Sequence, residues 1–364
     1  MSNLLYYPLH SLDKGHWFKL ICGASFQALP AVRSLVIAYT LAGADCIDVS
    51  ADAAVIVAAQ EAITVTQELS AAAARRGFQR RGSPFLMVSL NDGEDPHFRK
   101  AEFDSAQCPS NCARPCEAIC PAEAIAFSHY QGVIEQRCYG CGRCLPICPS
   151  QLIATRSTVT SLTPLRLIEQ MNVDALEIHT QVGHQEHFRS LWSTIAPVSH
   201  QLKLLAISCP DGPDLIDYLR FVHDTMSPLP CPLVWQTDGR PMSGDLGTGT
   251  TRATVRLAQK VLQARLPGYV QLAGGTNAHT VTKLRELGLL KRNSQSPGIS
   301  GIAYGSYARS LLAPIIKQLD TDSYLNFNKV ARSNQLENCS HLLWEAVERA
   351  ASLVSPLKTP RSRL

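Results

Sequence analysis

Eight of the chain's 13 cysteines fall between Cys108 and Cys148, and no other feature narrows the possible folds as much. They form two runs that each close on Cys-Pro: Cys108, Cys112, Cys116 and Cys120-Pro121, then Cys138, Cys141, Cys144 and Cys148-Pro149. The second run has the C-x2-C-x2-C-x3-C-P spacing of two-cluster bacterial ferredoxins. Sulfurs three residues apart in a tight turn converge on one small centre, and the fourth cysteine of each run cannot reach it. By the ferredoxin rule that fourth thiolate ligates the other cluster. The expected ligand sets are therefore Cys108, Cys112, Cys116 with Cys148, and Cys138, Cys141, Cys144 with Cys120. The segment from Cys120 through Ile125 to Ile134 reads as the hairpin between the half-sites.

Two other chemistries compete for these thiols. Zinc uses ligand pairs separated by a longer arm, which does not explain two Cys-Pro closures. Disulfides belong to oxidising compartments, and Met1 to Lys14 has neither the basic nor the apolar region of a secretory signal. Iron–sulfur chemistry, with two [4Fe-4S] clusters, is the expectation. The first run departs from the pattern, with three residues between every pair of cysteines. That spacing leaves open a three-iron cluster at Cys108, Cys112 and Cys116, or a four-iron cluster of unusual potential.

The 364 residues allow one large domain or two ordinary ones, at about 100–200 residues each. With 45% hydrophobic and 18% charged residues the chain reads as soluble and globular, and a net charge of +4 does not suggest nucleic acid. No stretch approaches the roughly 18 apolar residues of a membrane span, so a cytoplasmic protein is expected. Between Arg99 and Ser150 five Lys/Arg face five Asp/Glu, whereas a free electron shuttle usually carries a strong single-sign field. A bare electron carrier would also leave roughly 300 residues without a role.

Those residues carry a strand–helix rhythm. Strands are expected at 18–22, 45–50, 84–90, 175–180, 202–208, 233–238, 269–273 and 299–304. Helices are expected at 29–42, 53–74, 163–171, 188–198 with an interruption at Pro197, 214–223, 250–264, 278–290 and 307–319. Eight such units predict an α/β fold, a TIM-like (β/α)8 barrel, with an open doubly wound sheet as the alternative. The expected division is 1–98 for strands one to three, 99–156 for a ferredoxin-like dicluster module inserted after strand three, 157–320 for strands four to eight, and 321–364 for a C-terminal helix and basic tail. Insertions in such barrels usually sit in βα loops, over the face that carries active sites. In the final helix Leu342, Leu343, Ala346 and Ala350 share a face, which suits packing on the barrel. The tail from Lys358 is expected to fray.

A second site is suggested where strands seven and eight end. Gly274, Gly275, Thr276 and Asn277 follow one, and Gly305 and Ser306, then Tyr307, Ala308 and Arg309, follow the other. Barrels of this type bind phosphate in these two loops, which makes FMN or another phosphate ligand a candidate cofactor. Polar residues at other strand ends are further candidates: Asp48, Asp52, Asn91, Asp92, Glu177, His179, Asp211, Gln236, Asp238 and Arg240. Glu177 and His179 lie two apart and share a strand face, as an acid–base pair would. No strand lysine suggests a Schiff base, and no Gly-x-Ser-x-Gly or Walker loop appears. Cys22, Cys46, Cys209, Cys231 and Cys339 read as small buried hydrophobes.

Across most of its length the chain resembles the light-dependent period family of the cyanobacterial circadian clock. The likeness is carried by Gly15 to Ser25, the cysteine runs, Ala175 to Gln181 and Gly239 to Asp245. The resemblance implies an iron–sulfur redox sensor that adjusts clock period to light and cellular redox state. It implies clock input and oscillator proteins as partners, with a quinone or ferredoxin pool as electron donor. The residues also admit an iron–sulfur flavoenzyme, an oxidoreductase with FMN in the barrel.

Overall fold

A computed structural model describes residues 7–78, 82–127, 131–157, 162–239, 250–291, 297–325 and 335–358. Its centre is built from eight short strands: β1 (Trp17–Ile21), β2 (Cys46–Ser50), β3 (Phe85–Asn91), β4 (Ala175–His179), β5 (Leu204–Pro210), β6 (Leu233–Asp238), β7 (Tyr269–Ala273) and β8 (Ile299–Tyr304). Each pairs in parallel with its neighbour in the chain, and β1 returns to β8 with Trp17 opposite Gly301. The sheet is thus a closed barrel, and the open-sheet alternative is excluded.

Period-two alternation sorts the strand side chains. Phe18, Leu20, Ile47, Val49, Val88, Ile178 and Ile207 join the large core beneath the helices. The other set faces inward. Near the strand starts Trp17, Cys46, Met87, Ala175, Ala206 and Val234 form an apolar plug with Leu12. Leu12 comes from a helix, Tyr7–Lys14, that the sequence reading did not anticipate. Two residues further along each strand, the inward positions become polar: Lys19, Asp48, Ser89, Glu177, Ser208, Gln236 and Gln271 are all buried. Gly301 is required beside Trp17, because a Cβ there would sit 2.5 Å from the Trp17 carbonyl oxygen and indole.

Several helices differ from expectation for local reasons. The 53–74 helix breaks at Leu69 into Ala53–Glu68 and Ser70–Arg75. The helix after the insertion is only a wide turn, Arg166–Gln170. Gln185–Ile195 ends before Pro197 and continues as a 3-10 turn, Ala196–Gln201. The 278–290 helix shortens to Thr280–Glu286 because Asn277 forms a turn, accepting from the His279 amide at 2.9 Å.

The insertion lies between β3 and β4, which still pair directly, Met87 opposite Ala175. Its arms are an antiparallel ladder, Arg99–Glu102 with Ala154–Ser157, and it contains the expected hairpin, Ile125–Ala126 with Gly132–Val133. Following β3, it sits at the ends of the strands, over the barrel mouth.

The last helix, Ser340–Lys358, packs its Leu342, Leu343, Ala346 and Ala350 face against the helix Leu29–Leu41, so that face is core. Lys358 corrects the expectation of a frayed tail from that residue onward: its ammonium pairs with the fully buried Asp45, which also accepts from the Phe18 amide at 2.7 Å. Residues 359–364 lie outside the described residues. Lys358→Met leaves a buried carboxylate without its cation and should lower stability by about 3 kcal/mol in urea unfolding. Adding Asp45→Asn should recover much of that loss.

Candidate functional site

The two cysteine runs interleave in space. Burial pushes the Cys144 thiol up to about 12, with Cys141, Cys138 and Cys120 adding to the shift. Burial likewise raises Cys120, helped by Cys141 and Cys138. These four line one small apolar-walled cavity. In the other group burial and then Cys112 raise Cys108, which also feels Cys148. Cys116 is raised by burial, with contributions from Cys148 and Cys108. The groups brought together are therefore Cys108, Cys112, Cys116 and Cys148, and Cys138, Cys141, Cys144 and Cys120. The fourth cysteine of each run has crossed to the other.

The backbone is arranged to receive thiolates. The amides of Ala101, Arg114 and Ala124 lie 3.4, 3.4 and 3.2 Å from the sulfurs of Cys138, Cys112 and Cys120. Burial would raise Cys148, but the amides of Leu152, Ser150, Ile153 and Gln151 outweigh it and lower its pKa. Thiols that raise one another lose their protons together only around a cationic centre, and this donor set fits an iron–sulfur cluster. The longer spacing of the first run is absorbed at Arg114, a left-handed residue (φ 53°) before Pro115. In the second run glycines, Gly140 and Gly142, take the left-handed positions. Cys116 is the buried member of the first group, whereas Cys138 and Cys144 are both buried in the second.

The second group faces the barrel. Cys141, Gly140 and Tyr139 roof a cavity at the mouth whose floor includes Asp48, Ser89, Glu177 and His179. Arg309 stacks on Tyr139, 4.1 Å from the ring centroid, and donates to the carbonyls of Ile21 and Cys22 at 2.9 and 3.2 Å. Lys100, buried in the inserted ladder, donates to Gln27 at 2.5 Å and to the Glu135 carbonyl at 3.0 Å. Module and barrel thus share buried polar contacts.

Beneath that cavity runs a continuous polar network. Trp17 donates to Gln271 at 2.5 Å, Gln271 to Gln236 at 2.6 Å, and Gln236 to Glu177 at 2.6 Å. Lys19 contacts Glu177 directly and lies 3.0 Å from both Asp48 and Gln236. Burial alone would raise Glu177, but Lys19 and then His179 hold it down to about 2. His179 Nε2 is 2.9 Å from Glu177, and its Nδ1 is 3.6 Å from Asp95. Burial opposes charge on His179, yet Asp95 and Glu177 outweigh it and push its pKa well up. Asp95 accepts from His97 Nδ1 at 2.8 Å, and His97 Nε2 lies 3.4 Å from Asp238.

Of the residues expected at the mouth, Asp48, Glu177, His179, Gln236 and Asp238 line this cavity, as do Gly274, Gly275, Thr276, Gly305 and Ser306. Asn277 does not; its side chain serves the turn and Thr250. Asp52 is a helix cap, accepting from the amides of Ala54 and Val55. Asp211 pairs with Lys260 at the surface, while Asn91 and Asp92 line a separate groove with His184. Arg240 lies outside the described residues. Cys22, Cys46 and Cys209 are buried as expected, and Cys231 and Cys339 are only partly so. Burial pushes Cys22 up to about 12, so it stays a thiol. Lys19, paired with Asp48 and Glu177 as a buried ammonium, is no Schiff-base nucleophile, and its structural role was not anticipated. Alternation in Trp17-Phe18-Lys19 puts it on the inward face of Trp17, a signal the sequence held. Asp95 and His97 were also missed, because their loop has no period to read.

Comparison with known proteins agrees with this architecture. A family described as the LdpA Fe-S cluster-binding domain matches residues 108–159, and one described as the Light dependent period A C-terminal domain matches residues 167–356. Light dependent period A of Synechococcus elongatus is 48% identical over 353 residues, covering 97% of this chain and 94% of that protein. Among solved structures, a thiamine phosphate pyrophosphorylase from Pyrococcus furiosus aligns over 92% of this chain and 99% of its own at 10% identity. Its TM-score is 0.35, so the barrel rests on its own strand pairing. An iron–sulfur-binding module inserted in a closed barrel, with 48% identity over nearly the whole length, makes this chain a member of the light-dependent period A family.

Proposed function

We propose that the protein is a two-cluster iron–sulfur redox sensor through which clock period responds to light and cellular redox state. Cys108, Cys112, Cys116 and Cys148 hold one cluster, and Cys138, Cys141, Cys144 and Cys120 the other. The observation that carries this reading is the crossing of the two runs into two four-thiol groups. Each cluster, when bound, takes up and releases one electron. The residues favour a direction: the first group is the more open, and the second borders the barrel mouth. Ile119 and Ile147, each next to the closing cysteine of a run, expose 39% and 42% of their surface. Two apolar side chains exposed beside the clusters suit the docking of a donor from the quinone or ferredoxin pool, or of a clock input or oscillator protein. A charge change in the second group acts on Tyr139 and Arg309, and through Arg309 on the backbone of β1.

The glycine-lined mouth supports a second reading, an oxidoreductase with a phosphate-bearing cofactor such as FMN. Gly274, Gly275, Thr276, Gly305 and Ser306 would hold the phosphate, with Arg309 beside it. The cavity encloses about 60 Å³, well under the roughly 300 Å³ of the smaller cofactor pockets, which favours the sensor. Gly275→Asp is a poor probe, since a Cβ there would meet the Thr250 carbonyl oxygen at 2.8 Å. At Gly305 the nearest atom would be 3.5 Å away, so Gly305→Asp sets a charge against the phosphate without a backbone clash.

Native mass spectrometry of anaerobically purified protein separates the readings: two clusters alone fit the sensor, whereas an FMN mass that Gly305→Asp removes fits the enzyme. Cys141→Ala with Cys144→Ala should leave the barrel folded and make partner binding independent of reductant. A response that persisted would make the clusters structural. Cys112→Ala should remove roughly half the bound iron, from the first group alone. Equal loss from both groups would contradict the ligand sets.

A further inference from the structure

We propose that Asp95, His97, His179 and Asp238 form a binding site for one divalent transition-metal ion at the barrel mouth, separate from both cysteine groups. Ligand atoms of Asp95, His97 and His179 all lie within 4.8 Å of one another, close enough to share one ion. They come from the β3 loop and the end of β4. Asp238, at the end of β6, brings its Oδ2 to 3.4 Å from His97 Nε2. Its other oxygen, Oδ1, is buried and has no hydrogen-bond partner among the described residues, in a residue only 5% exposed. A carboxylate oxygen is rarely buried without a donor, and this one belongs to a residue that lines the same cavity as His97 and His179.

The surroundings are those of a metal site. A histidine ligand is usually oriented by a carboxylate on its second nitrogen. Here Glu177 holds His179 Nε2 at 2.9 Å and leaves Nδ1 directed at Asp95. Glu177 is itself fixed by Lys19 and Gln236. The charge count points the same way. Asp48, Glu177, Asp95 and Asp238 are four carboxylates in or beside the lumen, against two fixed cations, Lys19 and Arg309. A dication offsets that excess of two, displacing the proton of His179 as it binds. Two imidazoles with two carboxylates suit Zn(II), Fe(II) or Mn(II) better than Ca(II) or Mg(II), which take oxygen alone, or Cu(I), which takes thiolates. Glu177 acts here as a positioning residue.

Mn(II) serves as the probe because it binds thiolates poorly and its free form gives a six-line paramagnetic resonance signal in solution. Anaerobically purified full-length protein, its clusters retained, is treated with chelator, desalted and titrated with Mn(II). The expected result is loss of the free signal up to one equivalent, reversed by one equivalent of Zn(II). His97→Ala and Asp238→Asn should each weaken binding by roughly tenfold or more, with iron and sulfide content unchanged. His97 lies on a partly exposed loop, so its truncation should spare the fold. Equal Mn(II) binding by the wild type and both variants overturns the site, as does a wild type that binds none. A signal that vanishes only when the clusters are lost also overturns it, by assigning the ion to the cysteines.

Discussion

The ammonium of Lys19 sits at the centre of a barrel with no access to water, and much else follows from how it is paired. An unpaired charge there would cost far more than the few kcal/mol by which a domain is stable. Asp48, Glu177 and Gln236, from three other strands, surround it. The result ties β1, β2, β4 and β6 together across the lumen, beyond the ladders that join neighbours. It also divides the interior, with the Trp17 plug on one side and the polar mouth on the other. Because Glu177 is held by Lys19, it is available in one orientation to hold His179. The mouth chemistry is therefore set one inward-facing layer below the mouth.

The cysteine module uses this scaffold by position. As part of the β3 loop it arrives at the strand ends, where the Tyr139–Arg309 stack closes over the cavity. Arg309 reaches back to the carbonyls of Ile21 and Cys22, so one side chain touches the module, the β8 loop and the end of β1. Under the proposed sensor function, an electron arriving in the second cysteine group would change charge next to that arginine in a partly buried setting, where screening is weak. That gives the sensor reading a physical route from module to barrel, and a two-state element would be needed to turn it into an altered partner affinity.

The legible parts of the fold were those with strong local codes. Eight strand–helix units and the Cys-Pro closures could be read directly; strand boundaries moved by a residue or two, and helix ends by up to six because they depend on tertiary caps. Pro197 was read as an interruption, and it is one. Long helices were over-extended where a break, as at Leu69, has no proline or glycine to announce it. The N-terminal helix was missed because eight residues carry too little period, and its role is to plug a barrel that does not exist until the chain closes. Lys358 looked like tail for the same reason: its partner, Asp45, is 313 residues away.

By itself the sequence determined the cysteine chemistry and the barrel, because thiol spacing and apolar alternation are properties of neighbouring residues. The inward face of Lys19 was also written there, in the period of β1. Only the tertiary structure decided what Lys19 meets, which strand-end residues share one cavity and which merely cap a helix. Barrel closure sets β1 against β4 and β6 across the lumen and folds the β3 loop down so that Asp95 and His97 reach His179 and Asp238. No local pattern encodes those meetings, since they depend on how many strands close the ring and on which face the insertion lands.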